Sequence, residues 1–309
     1  MNFCTSSFKS YVLTTLALLT GLCVFALVAT EWLIRTHVEP NDHLPTHLRL
    51  FQMTTALQAG FGDSHMALGF QPPKDWVNLA FPGESIDTLA YKINVLLART
   101  ELTRAIVQAD AHMFAKYRAK QMLGYNEQFG RSPQELDTIN LRTLSGYHRP
   151  KLLAYWEVWL RKGTFASRTR FHASGWIEGN DNWIALTTEA QEQKARERAA
   201  LHIPMSDFAV HPFAADYQSL LSNLRNRGIQ TCMVEFPVTS TYLHYVDSPN
   251  YQAVRIWFAE QARRLNLRLL AYNALYADQP DYFSDMDHLA PKGAHIFSQR
   301  IINDCFEQP

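Results

Sequence analysis

The sequence predicts an α/β protein: a central parallel sheet with helices packed on both faces, a helical insertion after the third strand, and one transmembrane helix at the N-terminus. Three observations lead there. Short apolar runs at 56–61, 76–81, 104–110, 229–236 and 267–272 alternate with stretches whose apolar residues recur at helical spacing, the cadence of a parallel sheet. That cadence breaks once, between 113 and 210, where aromatic and charged residues dominate. Residues 11–30 are almost wholly apolar, and at the helical rise they cover a hydrocarbon layer of roughly 30 Å.

Taken in order, the chain begins with that span. A cleaved leader has a shorter apolar core and small residues before its cut site, whereas Leu27-Val28-Ala29-Thr30-Glu31 offers a poor cleavage signal. An uncleaved anchor over 1–34 is therefore expected, with Trp32 at the interface. Cys23 lacks the small residue that normally precedes a lipidated cysteine. Lys9 lies before the span, against the mixed charges Glu31, Arg35 and Glu39 after it, which puts the N-terminus in the cytoplasm and the bulk of the chain outside, in a periplasm-like space. Residues 35–54, with Pro40 to Pro45 at their centre, read as a tether to a domain over 55–309.

Within that domain, Ala56 to Phe61 reads as a buried first strand ending in glycine, followed at once by Gly62-Asp63-Ser64-His65. Gln71-Pro72-Pro73 is a loop and Trp76 to Phe81 the second strand. Leucine and isoleucine at helical spacing mark Ser85 to Arg99 as a helix, with Ser85 or Asp87 available as its cap. Arg104 to Asp110 is the third strand. The insertion, 113–210, holds an aromatic helix at 151–160, a Gly/Asn/Trp-rich loop from Phe171 to Trp183, and a charged helix from Thr188 to His202. Its tryptophans 156, 159, 176 and 183 either form an exposed binding surface or pack the insertion onto the sheet. The cadence then resumes: helix 216–227 ending at Gly228, strand 229–236, helix 250–265, strand 267–272, and a last helix from Pro291 to Phe306.

Composition narrows the classes of function. Twenty-nine basic residues balance twenty-nine acidic ones, so no polyanion-binding surface is implied and nucleic acid is not an expected partner. The four cysteines, 4, 23, 232 and 305, show no C-x-x-C or Cys/His spacing, so no metal site is expected. Cys232 and Cys305 are the two cysteines that could pair in the soluble part; a disulfide between them stays open, with two separate buried thiols the favoured expectation.

Chemistry concentrates at the two ends of the domain. Ser64 sits at a glycine-flanked strand-to-helix turn, the place where a sheet presents a nucleophile beyond its carboxyl edge. A serine needs a base and a carboxylate to fix that base's tautomer, and Asp285 with His288 offers both on one short loop. Asp287 rivals Asp285 for the orienting role, while His65, adjacent to the serine, is badly placed as its base. The backbone amides of Ser64 and Gly83 are the expected oxyanion donors, and Asp63, His65, Asn78, Asp110 and His112 the expected substrate-contacting groups.

Together these blocks resemble the SGNH/GDSL hydrolase superfamily. Gly62-Asp63-Ser64 matches its first block, Asn78-Leu79-Ala80-Phe81-Pro82-Gly83 its second, and Asp285 with His288 its last D-x-x-H block, in the expected order. The third block, G-x-N-D, is missing: the third strand ends Ala109-Asp110-Ala111-His112, and Gly179-Asn180-Asp181 reads as a turn. The resemblance implies a flavodoxin-like three-layer α/β/α fold and acyl transfer through a Ser64-His288-Asp285 triad, with no cofactor and with one oxyanion donor unassigned. Anchor and insertion together resemble the accessory acyltransferases of cell-envelope polymers, such as the D-alanyl lipoteichoic acid transfer protein and, more loosely, alginate acetylation proteins. That likeness implies a membrane-bound O-acyltransferase as partner and a carbohydrate or envelope polymer as acceptor. A membrane-tethered esterase or lipase, and a catalytically silent assembly subunit, are the alternatives.

Overall fold

The computed structural model describes residues 4–33, 43–118, 170–179 and 183–307, together with positions 129, 157, 160 and 161. The chain divides into two units, one of residues 1–45 with 137–167 and the other of residues 46–136 with 168–309. In the first, helix α1 (Cys4–Leu33) contains the apolar stretch Ser10–Ala29, long and apolar enough to cross a membrane. Of the expected aromatic helix at 151–160, only Glu157 and Leu160, both helical, are among the described residues; Trp156 and Trp159 lie outside them, as do Asn180 and Asp181.

The second unit is built on five parallel strands: β1 (Gln58–Phe61), β2 (Val77–Asn78), β3 (Arg104–Gln108), β6 (Gln230–Glu235) and β7 (Arg268–Ala271). Their order across the sheet is β2-β1-β3-β6-β7, the flavodoxin-like arrangement expected. The chain runs outward from β1 to β2 and then back to β3, so the strand order reverses between β1 and β3. A crevice opens at the carboxyl ends of strands at such a switch point, and the turns after both strands carry candidate residues.

The central strands are buried on both faces and accordingly carry continuous apolar runs: Ala105, Ile106 and Val107 in β3, Met233 and Val234 in β6 are inaccessible. Helices α3 (Ser64–Gly69), α4 (Ile86–Leu97), α6 (Pro212–Asn226), α7 (Ser240–Val246), α8 (Pro249–Leu265) and α9 (Pro291–Ile302) connect or follow the strands. Their boundaries follow local chemistry. Proline takes the first turn of α6, α8 and α9, where the missing N–H would be unsatisfied anyway. Ser248 Oγ caps α8, and Asn266 ends it in the left-handed conformation at φ 51°.

Two expectations need correction. The tether over 35–54 contains helix α2 (His43–Met53), whose Leu48 and Phe51 are buried and whose C-terminal end is held by Arg99, donating to the Gln52 carbonyl at 2.9 Å. The prolines and histidines of this segment masked an apolar face that only the tertiary partner makes evident. Cys232 and Cys305 are joined in a disulfide rather than standing apart, with Cα atoms 5.7 Å from each other. The turn after α9 folds back beside β6, a closeness that their separation of 73 residues does not announce.

The insertion contributes helix α5 (Thr188–His202), with Thr187 Oγ1 accepting from the Ala190 amide at its start, and a hairpin of β4 (Arg170–Phe171) and β5 (Ile177–Glu178). The hairpin turn packs against the outer side of β2, where the Asn78 amide donates to the Ser174 carbonyl at 2.8 Å. Trp176 and Trp183 are buried, and Trp176 Nε1 donates to the Leu68 carbonyl at 2.8 Å. These two tryptophans therefore pack the insertion onto the domain.

Candidate active site

Each half of the site is shaped locally. Asp63 ends the turn after β1 and its carboxylate accepts from the His65 amide at 3.0 Å, which starts α3 at Ser64. Gly62 is required by crowding, since a Cβ there would lie 2.2 Å from Gln108 Oε1 and 2.7 Å from Gln108 Cβ. At the other end of the domain, Asp285 Oδ1 accepts from the amides of Asp287 at 3.0 Å and His288 at 2.9 Å. That Asx-type turn delivers the His288 ring back to the same carboxylate, with Nδ1 at 2.9 and 2.8 Å from its two oxygens.

The two halves meet at one rim of the sheet. The His65 ring lies 5.2 Å from the His288 ring, centroid to centroid, and His65 Nε2 is 3.4 Å from Asp287 Oδ2. Ser64 is half-buried at the start of α3, beside this contact. No hydrogen bond joins Ser64 Oγ to His288 among the described residues; His288 Nε2 is buried without a partner. With Nδ1–H donating to Asp285, the tautomer leaves a lone pair on Nε2, the form a general base requires. Burial lowers the affinity of His288 for a proton, but the Asp285 and Asp287 carboxylates outweigh it and raise its pKa above the ordinary value.

Gly83 has φ +82°, a conformation natural only to glycine, in the turn after β2. Its amide and that of Ser64 bond to no acceptor among the described residues. Both residues are half-buried and lie in the turns that follow β2 and β1.

The five residues expected to contact substrate do something else. Asn78 is fully buried: Nδ2 donates to the carbonyls of Met66 and Phe70, each at 2.8 Å, and Oδ1 accepts from the Ala80 amide at 3.0 Å. It clamps the exit of β2 to α3. Asp63, His65, Asp110 and His112 are also buried, in one network beneath the serine. Asp63 accepts from Gln108 Nε2 at 2.8 Å, from His112 Nε2 at 2.7 Å and from Arg118 Nη2. Asp110 accepts from Gln108 Nε2 at 2.7 Å, from the Phe236 amide at 2.7 Å and from His65 Nδ1 at 2.9 Å. These side chains cannot reach a substrate because their polar atoms already face one another across the β1/β3 crevice.

The electrostatics follow from the pairing. Burial disfavours a charged His65, yet Asp110 and Asp287, one on each ring nitrogen, raise its pKa to about 10, so the ring is an imidazolium donating at both ends. Asp63 is desolvated, but Arg118 and His112 hold its carboxyl well below the usual carboxylate range. The His112 ring lies tilted 4.2 Å from His65 and stacks 4.7 Å from His202. Burial pushes His112 and His202 below the ordinary histidine value and keeps both neutral at pH 7.

Two groups, His65 with Asp110 and His112, and His65 with Asp287 and His288, have ligand atoms within 4.8 Å, the spacing of a metal site. In both, an imidazolium already bonded to two carboxylates occupies the centre, so the donor set fits a proton network better than a cation. Residues missed from the sequence include Gln108, Arg118, Arg198 and His202. Gln108 is the last residue of β3, and its polar terminus is bonded to Asp63 and Asp110. His202 ends α5 and reaches Asp287 at 3.5 Å, a contact with no local signal in the chain.

Three solved structures align with this chain at low identity. A Streptococcus pneumonia protein assigned as a platelet activating factor aligns over 92% of this chain and 99% of its own at 11% identity and TM-score 0.44. A lipase/acylhydrolase from Enterococcus faecalis aligns over 80% and 94% at 9% identity and TM-score 0.39. The psychrotrophic esterase EstA from Pseudoalteromonas sp., in a form inhibited by monoethylphosphonate, aligns over 81% and 97% at 10% identity and TM-score 0.37. No family model and no curated protein matches the chain in sequence. Likenesses this distant carry no functional argument, and the chemistry is read from the side chains.

Proposed function

We propose that the chain is a membrane-anchored serine esterase or O-acyltransferase whose nucleophile is Ser64, whose base is His288 and whose orienting carboxylate is Asp285. The observation that carries this reading is the His288 ring: Nδ1 bonded to Asp285 and Nε2 buried and unpartnered beside the turn that presents Ser64. In the first step Ser64 Oγ attacks an ester carbonyl while His288 Nε2 takes its proton, and the negative oxygen is met by the amides of Ser64 and Gly83. Collapse expels the alcohol, which takes the proton from His288 and leaves an acyl-serine. Water or an acceptor hydroxyl then completes hydrolysis or transfer by the reverse sequence. A third donor has no candidate among the side chains that the superfamily pattern points to.

Two features support an extracytoplasmic site at a cell membrane. Helix α1 has the length of a single span, and the Cys232–Cys305 disulfide suits an oxidising compartment such as a periplasm. The favoured acceptor is then a carbohydrate or other envelope polymer, with a membrane-bound O-acyltransferase supplying the acyl group. The test is labelling of the full chain in detergent by a fluorophosphonate, followed by mass spectrometry of the modified peptide. Modification at Ser64, absent from Ser64→Ala, supports the reading; an unlabelled wild type identifies a silent SGNH-like assembly subunit instead. Acyl turnover accelerated by a glycan acceptor separates transferase from esterase.

A further inference from the structure

Beneath the Gly83 turn lies a second buried polar cluster, apart from the triad and its histidines. Lys92, on α4, is 0% exposed, an unusual fate for a lysine. Its ammonium donates to the Leu79 carbonyl and to Glu84 Oε2. Glu84 is itself 2% exposed, with Oε1 buried and unpartnered. The ring of Phe129 lies 5.5 Å from the ammonium, and His47 packs 5.0 Å from the Phe81 ring with both its nitrogens unpartnered.

The contacts of Lys92 bracket one short segment. Leu79 leads out of β2, its amide donating to the Gly60 carbonyl at 2.8 Å, and Phe81 continues alongside with its amide on the Gly62 carbonyl at 3.1 Å. The Glu84 amide closes the turn on the Phe81 carbonyl at 3.1 Å, leaving Gly83 at its apex with φ +82°. One ammonium therefore grips both ends of the loop that carries Gly83, whose amide bonds to no acceptor among the described residues. Well-packed apolar residues would join α4 to this loop at least as stably, because a buried ion pair has to recover the desolvation of both charges. What the pair adds is direction: it fixes where the carbonyl at 79 and the carboxylate at 84 stand, and with them the orientation of the amide between.

We infer that Lys92 and Glu84 are positioning residues that hold the Gly83 amide in register for the oxyanion formed at Ser64. The inference rests on the serine-enzyme reading above. The geometry favours positioning over substrate contact, since neither side chain reaches the rim. Desolvation pulls the lysine below its ordinary pKa and pushes Glu84 up to about 7, in keeping with a pair sealed from water.

The experiment compares wild type, Lys92→Met, Glu84→Gln and the double variant Lys92→Met/Glu84→Leu, each as full chain in detergent. Thermal midpoint, kcat and KM for a p-nitrophenyl ester and the rate of fluorophosphonate labelling at Ser64 are measured. Loss of a whole oxyanion donor costs on the order of 100- to 1,000-fold, so a donor left in place but loosened is expected to lower kcat about 10- to 100-fold. KM should stay within about threefold, and labelling should slow in parallel with kcat, since phosphonylation uses the same donors. The double variant, with no charge left unpaired, is expected to recover the thermal midpoint without recovering kcat. A double variant with wild-type kcat and labelling would show a purely structural pair and overturn the inference. Should the methionine variants not fold, Glu84→Gln decides: a three- to tenfold lower kcat at unchanged KM supports positioning, and an unchanged kcat refutes it. A wild type that is itself unlabelled at Ser64 overturns the serine-enzyme reading and this inference together, whereas equal labelling of wild type and variants overturns this inference alone.

Discussion

Replacing Asp285 by asparagine tests the triad at its most structured point. The carboxylate orients His288 through two oxygens at 2.9 and 2.8 Å, but Asp287 Oδ1 stands only 3.3 Å from the same Nδ1. In the substituted protein the amide oxygen can still accept from the backbone at 287 and 288, so the loop keeps its turn. Asp287 remains to hold the Nδ1–H tautomer. A hydrogen bond to a charged group contributes about 1.5–3 kcal/mol, equivalent to roughly 10- to 150-fold in rate. A serine enzyme with one orienting carboxylate loses about 10,000-fold on the same exchange. Asp285→Asn is therefore expected to retain the smaller loss, and the pair Asp285→Asn/Asp287→Asn to approach the larger one. The assay is kcat/KM for p-nitrophenyl acetate between pH 5 and 9, corrected with Ser64→Ala. Because Asp285 raises the pKa of His288, its removal moves the acid limb of the profile to lower pH. A single variant within threefold of wild type would assign the orienting role to Asp287. A single loss near 10,000-fold would show that Asp287 gives no reserve.

Four further expectations follow from the same geometry. The Cys232–Cys305 bridge closes a span of 73 residues, for which chain entropy gives about 4 kcal/mol, so Cys305→Ser is expected to lower the thermal midpoint by roughly 8–16 °C, and a shift under 2 °C would contradict it. His65, raised to about 10 when folded against about 6.5 unfolded, contributes stability that is complete below pH 6.5 and lost as pH rises through 10; urea midpoints should fall between pH 6.5 and 10 and flatten in Asp110→Asn. Asp63 and Asp287, both held low, act oppositely: their contribution is present above the ordinary carboxylate range and vanishes as pH drops below it, so Asp63→Asn should blunt acid unfolding. Gly62→Ala drives a methyl to 2.2 Å from Gln108 Oε1, which should destabilise the fold by about 1–3 kcal/mol and slow labelling of Ser64, as circular dichroism and probe kinetics would record.

Much of the fold was legible because its signals are local. Runs of β-branched and apolar residues, prolines at helix starts and Gly228 at a helix end marked the elements to within a few residues, though β2 shrank to Val77–Asn78. Asp285 and His288 were legible as a unit because three residues suffice for a turn that points an imidazole at its own carboxylate. The network under Ser64 was not. Gln108, Arg118, His202 and Lys92 matter through partners 8 to 85 residues away, and nothing in their own neighbourhoods distinguishes them from solvent-facing polar residues. For the same reason Asp63, His65, Asp110 and His112, recognised as chemically unusual, were expected at the surface of the site when packing turns them inward on each other. The sequence raises the Cys232–Cys305 disulfide without deciding it, because thiol pairing is a matter of distance in space.

The hairpin against β2 has one more effect, on how the molecule behaves in company. A parallel sheet ends in two strands whose outer amides and carbonyls invite any extended peptide to add itself. On one flank β2 is only two residues long and Ser174 already occupies its outer amide, while a side chain on Gly175 would come within 1.8 Å of the Asn78 carbonyl oxygen. On the other flank Arg268 and Tyr272 tie β7 to Asp304 in the C-terminal turn. The β2 margin is thereby stoppered, so the segment that interrupts the strand cadence shields that edge from an added strand.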